Sequence, residues 1–168
     1  MLIEIRKAIL IIFRAQVLSK GEKLMYIKEI TFTNFNDEEI TRKYYFYLSK
    51  SDIKTWNLEK NGGFLGRLER IQNTLDGAEI AEFIEELLSK SYGEKSDDGM
   101  RFMKEDDNGR SLYKLFKETN AYDVLYNELT SDEKAAADFI NGVLPKDVTK
   151  AMKEAEKSGN VAQLPTGR

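Results

Sequence analysis

The spacing of apolar positions along this chain switches from two to three-and-four at Ser49. Before that point, Ile30 and Phe32 share one side of an extended segment from Tyr26 to Phe35, with Thr31 and Thr33 on the other. After the turn pair Asn36-Asp37, Ile40, Tyr44, Phe46 and Leu48 alternate with Thr41, Lys43, Tyr45 and Tyr47. Two period-2 runs around a turn predict a β-hairpin over 26–48. A lone hairpin is marginal in water, so its apolar face must lie on helices or on another chain. The run Tyr44-Tyr45-Phe46-Tyr47 therefore reads as a strand with one buried face rather than a base-stacking platform.

From Ser49 the pattern is helical. Ser49 and Asp52 fit a capping box, and Leu48 can staple onto Ile53 across the helix start. Trp56 shares a face with Ile53, and Asn61-Gly62-Gly63 ends that helix. Phe64, Leu65, Leu68, Ile71 and Leu75 predict a second helix, broken at Asp76-Gly77. The third is the clearest, with Ile80, Phe83, Ile84, Leu87 and Leu88 in one stripe and Glu79, Glu82, Glu85 and Glu86 on a solvated face. The acidic stretches 94–105 and 104–115 read as turns and helix starts. Leu112, Leu115 and Phe116 line the next helix, and Ala121, Tyr122, Leu125 and Leu129 the one after. Ser131 is taken as the cap of a further helix striped by Ala136, Phe139, Ile140 and Val143, with Asn141-Gly142 before Pro145 as its stop. The expected fold class is thus α+β and mostly α, an N-terminal β-hairpin followed by a bundle of about six or seven helices.

The domain reading follows. Residues 25–147 form a single globular domain, with the hairpin at 26–48 and helices at 49–144, and 148–168 are a weak helix and a disordered tail. Between Pro145 and Lys157 only Val148, Met152 and Ala155 offer apolar contacts. That sparse stripe cannot hold a helix on the core by itself, which makes the three residues the candidate partner-binding positions. Residues 1–24 are either an accessory helix or a leader outside the native product. Their apolar core, Ala8 to Phe13, is too short for a signal peptide. Lys20-Gly21-Glu22 can be encoded as AAAGGAGAA, which contains a bacterial ribosome-binding sequence ahead of Met25. On the leader reading Met25 is the biological start; AAGGGCGAG at these codons would count against it, and a native product beginning at Met1 would reject it.

Composition narrows the chemistry sharply. The chain has no histidine and no cysteine, so no side chain titrates near pH 7 unperturbed and triad or thiol nucleophiles are unavailable. Zinc sites lose their usual ligands for the same reason. Calcium loops do not fit: the stretch from Glu94 has Glu94 rather than aspartate at position one, Ser96 at position three and the charged Arg101 at position eight, and the stretch from Lys104 has lysine at position one and Leu115 at position twelve. No catalytic, cofactor-binding or metal-binding residue is assigned. A net charge of −3 argues against general nucleic-acid binding, and no run of 18 apolar residues exists to span a membrane.

Several phrases carry a family likeness. They are Tyr92-Gly93-Glu94-Lys95-Ser96-Asp97-Asp98-Gly99-Met100-Arg101-Phe102-Met103-Lys104, Thr119-Asn120-Ala121-Tyr122 with Leu125, and Ala135-Ala136-Ala137-Asp138-Phe139-Ile140-Asn141-Gly142-Val143-Leu144-Pro145. Ile30-Thr31-Phe32-Thr33-Asn34-Phe35-Asn36 and Tyr45-Phe46-Tyr47-Leu48-Ser49 join them. Over residues 25–147 the chain resembles the tail assembly chaperones of siphophages and prophages of Gram-positive bacteria. The resemblance implies a non-enzymatic protein of the bacterial host's cytoplasm, absent from the mature virion, that binds the tape-measure protein. The tail-tube protein is a second candidate partner, and self-association is left open. No cofactor is implied, and no functional residue carries over, because the likeness consists of fold-forming positions. The alternative is a structural virion protein, a tail-completion or connector component.

Overall fold

The computed structural model describes residues 24–59, 62–74 and 76–150. Along the chain run β1 (Tyr26–Thr33), β2 (Glu39–Phe46), α1 (Lys50–Asn57), α2 (Gly63–Thr74) and α3 (Gly77–Ser91). They are followed by β3 (Tyr92–Lys95), β4 (Phe102–Met103), α4 (Leu112–Lys117), α5 (Asn120–Ser131) and α6 (Glu133–Val143). A further helical turn occupies 146–150. The leader or accessory-helix reading of 1–24 falls almost wholly outside the described residues, as do Leu75 and the tail from 151 onward.

The expected hairpin-plus-bundle is overturned. The β-structure is a four-stranded antiparallel sheet ordered β1-β2-β3-β4, and half of its strands come from the middle of the chain. Of the two stretches read as turns and helix starts, 94–105 holds instead a strand pair, with Glu94 opposite Met103 and Lys95 opposite Phe102, while 104–115 holds a turn and the start of α4. Its turn is built by Ser96, whose N–H donates to Arg101 O at 2.9 Å, and by Asp98, which accepts from Ser96 Oγ at 2.6 Å and Met100 N at 3.0 Å. A second turn repeats the device: Asp106 accepts from Asn108 N and Arg110 N, both at 2.9 Å. The acidic side chains close these loops onto their own backbone, and a left-handed glycine, Gly99 or Gly109, completes each.

Local chemistry sets the remaining elements. The capping box is present, with Ser49 N donating to Asp52 Oδ2 at 2.8 Å and Asp52 N to Ser49 Oγ at 3.0 Å. Ser131 is not the cap of α6. It stays in α5, and Asp132 accepts from Lys134 N at 2.9 Å and Ala135 N at 3.1 Å. A carboxylate at a helix's positive end outcompetes a neutral hydroxyl one residue earlier. Nor does Asn141-Gly142 stop α6, which runs on to Val143 with the Tyr26 ring packed against Gly142.

The core lies between the sheet's inner face and the helices. Phe46 sits at its centre, with ring centroids 5.6 Å from Tyr92, 6.2 Å from Phe116 and 5.0 Å from Phe139. A second aromatic group joins α1, α2 and α3, where Trp56 lies 5.0 Å from Phe64 and stacks on Phe83 at 5.9 Å. The predicted stripe of α3 is buried at Phe83, Ile84, Leu87 and Leu88. Across its glutamate face, Glu86 binds Arg67 and Glu85 binds Lys117, tying α3 to α2 and α4.

Candidate functional site

The junction of α1, the end of α3, β3 and the start of α4 leaves a cleft of about 320 Å³. Its apolar lining is Trp56, Tyr92 and Tyr113, and its charged lining is Asp52, Glu59, Lys90 and Lys104. Each charge is already engaged. Asp52 closes the capping box of α1. Lys90 Nζ lies 2.6 Å from Glu59 Oε1 and 5.2 Å from the centroid of the Trp56 ring, so one cation serves an ion pair and a π-face together.

Lys104 is the least expected member. It follows β4, and its ammonium donates to Lys90 O at 2.7 Å, Tyr92 O at 3.1 Å and Tyr47 O at 3.4 Å. These carbonyls belong to the end of α3, the start of β3 and the segment after β2. A cation at a helix C-terminus meets the negative end of the helix. Here it also fastens the β3–β4 pair to the rest of the sheet. Nζ lies 4.8 Å from the Phe102 ring centroid as well. Burial pushes the Lys104 ammonium down to about 8, and the Asp52 carboxylate opposes that shift.

The sign of the resulting pH dependence is fixed. Unfolded, Lys104 titrates near its ordinary 10.5, so between about 8 and 10.5 the unfolded chain binds more protons. The contribution of Lys104 to stability therefore rises with pH through that window and is flat below it. Chemical denaturation of the protein and of Lys104→Met between pH 7.5 and 9.5 is expected to show the two midpoints changing their separation above about pH 8. A separation constant across that range would rule out a buried, titrating Lys104. The upper limit avoids Tyr92 and Tyr122, whose phenols burial raises and whose stability contribution is lost at higher pH.

The sequence-predicted partner positions lie elsewhere. Val148 is partly buried and packs against the core, its N–H bonded to Pro145 O at 3.0 Å. Met152 and Ala155 lie outside the described residues. Neither Trp56 nor Lys104 was singled out for this cleft by sequence reasoning. Trp56 looks like any core aromatic, and nothing local announces that a lysine after β4 reaches carbonyls 12, 14 and 57 positions away. Among the described residues no group of acidic side chains is gathered to hold a metal ion, and no helix is long and apolar enough to cross a membrane.

The arrangement is a closed-shell one, in which charged groups are spent on holding elements together and the remaining surface can take part in recognition. Neither curated proteins nor solved structures include a match to this chain. A protein-family model described as phage tail assembly chaperone matches residues 25–167. That match spans most of the chain, both halves of the sheet and every named helix, and the protein belongs to the phage tail assembly chaperone family.

Proposed function

We propose that this protein binds the tape-measure protein during tail morphogenesis, in the cytoplasm of the bacterial host, and leaves before the virion is complete. It does so by surface contact and without bond-making chemistry. The observation that carries the reading is family membership across residues 25–167. Physical chemistry supports it: a long polypeptide awaiting assembly exposes apolar surface and aggregates unless covered, and a partner with net charge −3 adds like-charge repulsion between complexes. The stripe of Val148, Met152 and Ala155 is proposed as one contact, and the tail-tube protein as a second partner.

Coexpression tests this directly. The tape-measure protein, insoluble alone, is expected to become soluble and to copurify with this chain. Unchanged insolubility without copurification defeats the reading. Stoichiometric amounts of the protein in purified particles, measured by mass spectrometry, would assign it to the virion structure instead.

A further inference from the structure

In an antiparallel sheet each strand residue turns its backbone N–H and C=O toward one neighbour only. Asn34 N donates to Glu38 O at 2.9 Å, which makes 34/38 a hydrogen-bonded pair. The register from Thr33 opposite Glu39 to Tyr26 opposite Phe46 then assigns Phe32, Ile30, Lys28 and Tyr26 to bonding with β2. The far side of β2 agrees. Tyr47 N donates to Ser91 O at 2.8 Å, and Tyr45 stands opposite Gly93, so odd-numbered residues there turn to β3 and even-numbered ones to β1.

Ile27, Glu29, Thr31 and Thr33 therefore aim their backbone groups off the edge of the sheet. Thr33 O is taken by Asn120 Nδ2 at 2.7 Å. For Ile27, Glu29 and Thr31 no backbone partner beyond β1 occurs among the described residues. Their side chains share the outer face, where Ile27 is 38% exposed and Glu29 makes no ion pair among the described residues. An open edge of this kind is a template for an added strand.

We propose that the β1 edge at residues 27–31 binds an extended stretch of client polypeptide, with a basic and an apolar residue two positions apart, as a fifth strand. This rests on the chaperone reading above and names the chemistry of its client. Main-chain bonds supply affinity that does not depend on sequence, which suits a chaperone moving along a long and varied chain. Glu29 selects a basic residue opposite it, and Ile27 an apolar one. A second copy fits less well. Self-pairing centred on Glu29 sets that carboxylate against its own copy, and centring on Lys28 opposes two lysines. Shifting the centre to Ile30 runs into the Thr33 carbonyl that Asn120 holds. The unpaired part of β2, before Tyr45, carries exposed Arg42 and Lys43, which repel the same client.

A synthetic peptide of about ten residues, with Thr at every second position and Val and Lys taking turns at the positions between, serves as the probe. It is expected to bind, and to slow amide exchange at Ile27, Glu29 and Thr31, which exchange quickly in the free protein. Thr31→Pro removes one outward N–H and no main-chain bond of the β1–β2 ladder, though it also loses the Thr31 Oγ1–Thr41 Oγ1 hydrogen bond of 2.8 Å, and is expected to weaken binding about tenfold or more. Glu29→Lys is expected to exchange the preference for one favouring the same peptide with Glu in place of Lys, a result that holds if the proline variant does not fold. Protection at Thr41 and Lys43 instead, full binding by Thr31→Pro, or a dimer of the free protein that Thr31→Pro dissolves each overturns the proposal. The peptide assay contains no tape-measure protein, so its failure sinks the edge, and failure of coexpression sinks the chaperone reading.

Discussion

Phe46→Ala is expected to lower folding stability by about 4 kcal/mol, at the upper end for a single core truncation. Phe46 has 0% exposure and is the residue where β2, β3, α4 and α6 meet, through Tyr92, Phe116 and Phe139. The alanine loses the transfer energy of the ring and leaves a void whose walls are themselves large rings. Those rings are held by neighbours on three other elements and cannot all collapse inward. Urea denaturation followed by Trp56 fluorescence checks it; a loss under about 1.5 kcal/mol would mean that the aromatic cluster relaxes around the gap.

Gly93→Ala is expected to cost about 2–3 kcal/mol, far more than an alanine normally does in a strand. A Cβ there would lie 2.4 Å from Met103 O and 2.6 Å from Phe102 Cε1. The carbonyl belongs to the paired strand and cannot swing aside alone, and the ring is itself packed edge-on to Tyr47 at 5.6 Å. Relief requires β4 to move off β3. Lys104 sits directly after β4, so its hold on Lys90, Tyr92 and Tyr47 loosens with it. The variant should consequently lose part of the pH dependence assigned to Lys104 as well as stability. Loss of stability with that dependence intact would separate Gly93 from the lysine.

Much of this architecture was legible where one segment determines its own structure. The alternation around Asn36-Asp37, the stripe from Ile80 to Leu88 and the Ser49 capping box are all local signals, and each describes an element found in the fold. The β3–β4 pair was missed because its strands are short: Phe102–Met103 has two residues, too few to show a period. The usable signal was in the turns, Asp98-Gly99 and Asn108-Gly109, which are hairpin dipeptides before they are anything else. The cap of α6 was misplaced by one residue because serine and aspartate stand side by side and both suit the position.

The candidate site was hardly legible at all. Lys104 matters through three carbonyl groups drawn from separate parts of the chain, and backbone oxygens carry no sequence signature. The open edge of β1 is likewise a property of pairing. Nothing in Ile27, Glu29 or Thr31 says which neighbour their amides face until the register is known. The family likeness covered the same ground differently, because it registers whole phrases and is blind to which residue in a phrase touches what.

Asp132 ends α5 with its N–H on Glu128 O at 2.8 Å and begins α6 with its carboxylate. One residue serves both helices, and no linker separates them. Lengthening that corner by a single amino acid would turn α6 by about 100° about its own axis, carrying Phe139, Ile140 and Val143 away from Phe46 and Tyr26. An insertion is therefore expected to be tolerated at other joints of the molecule and not at this one, where α5 and α6 form one bent unit.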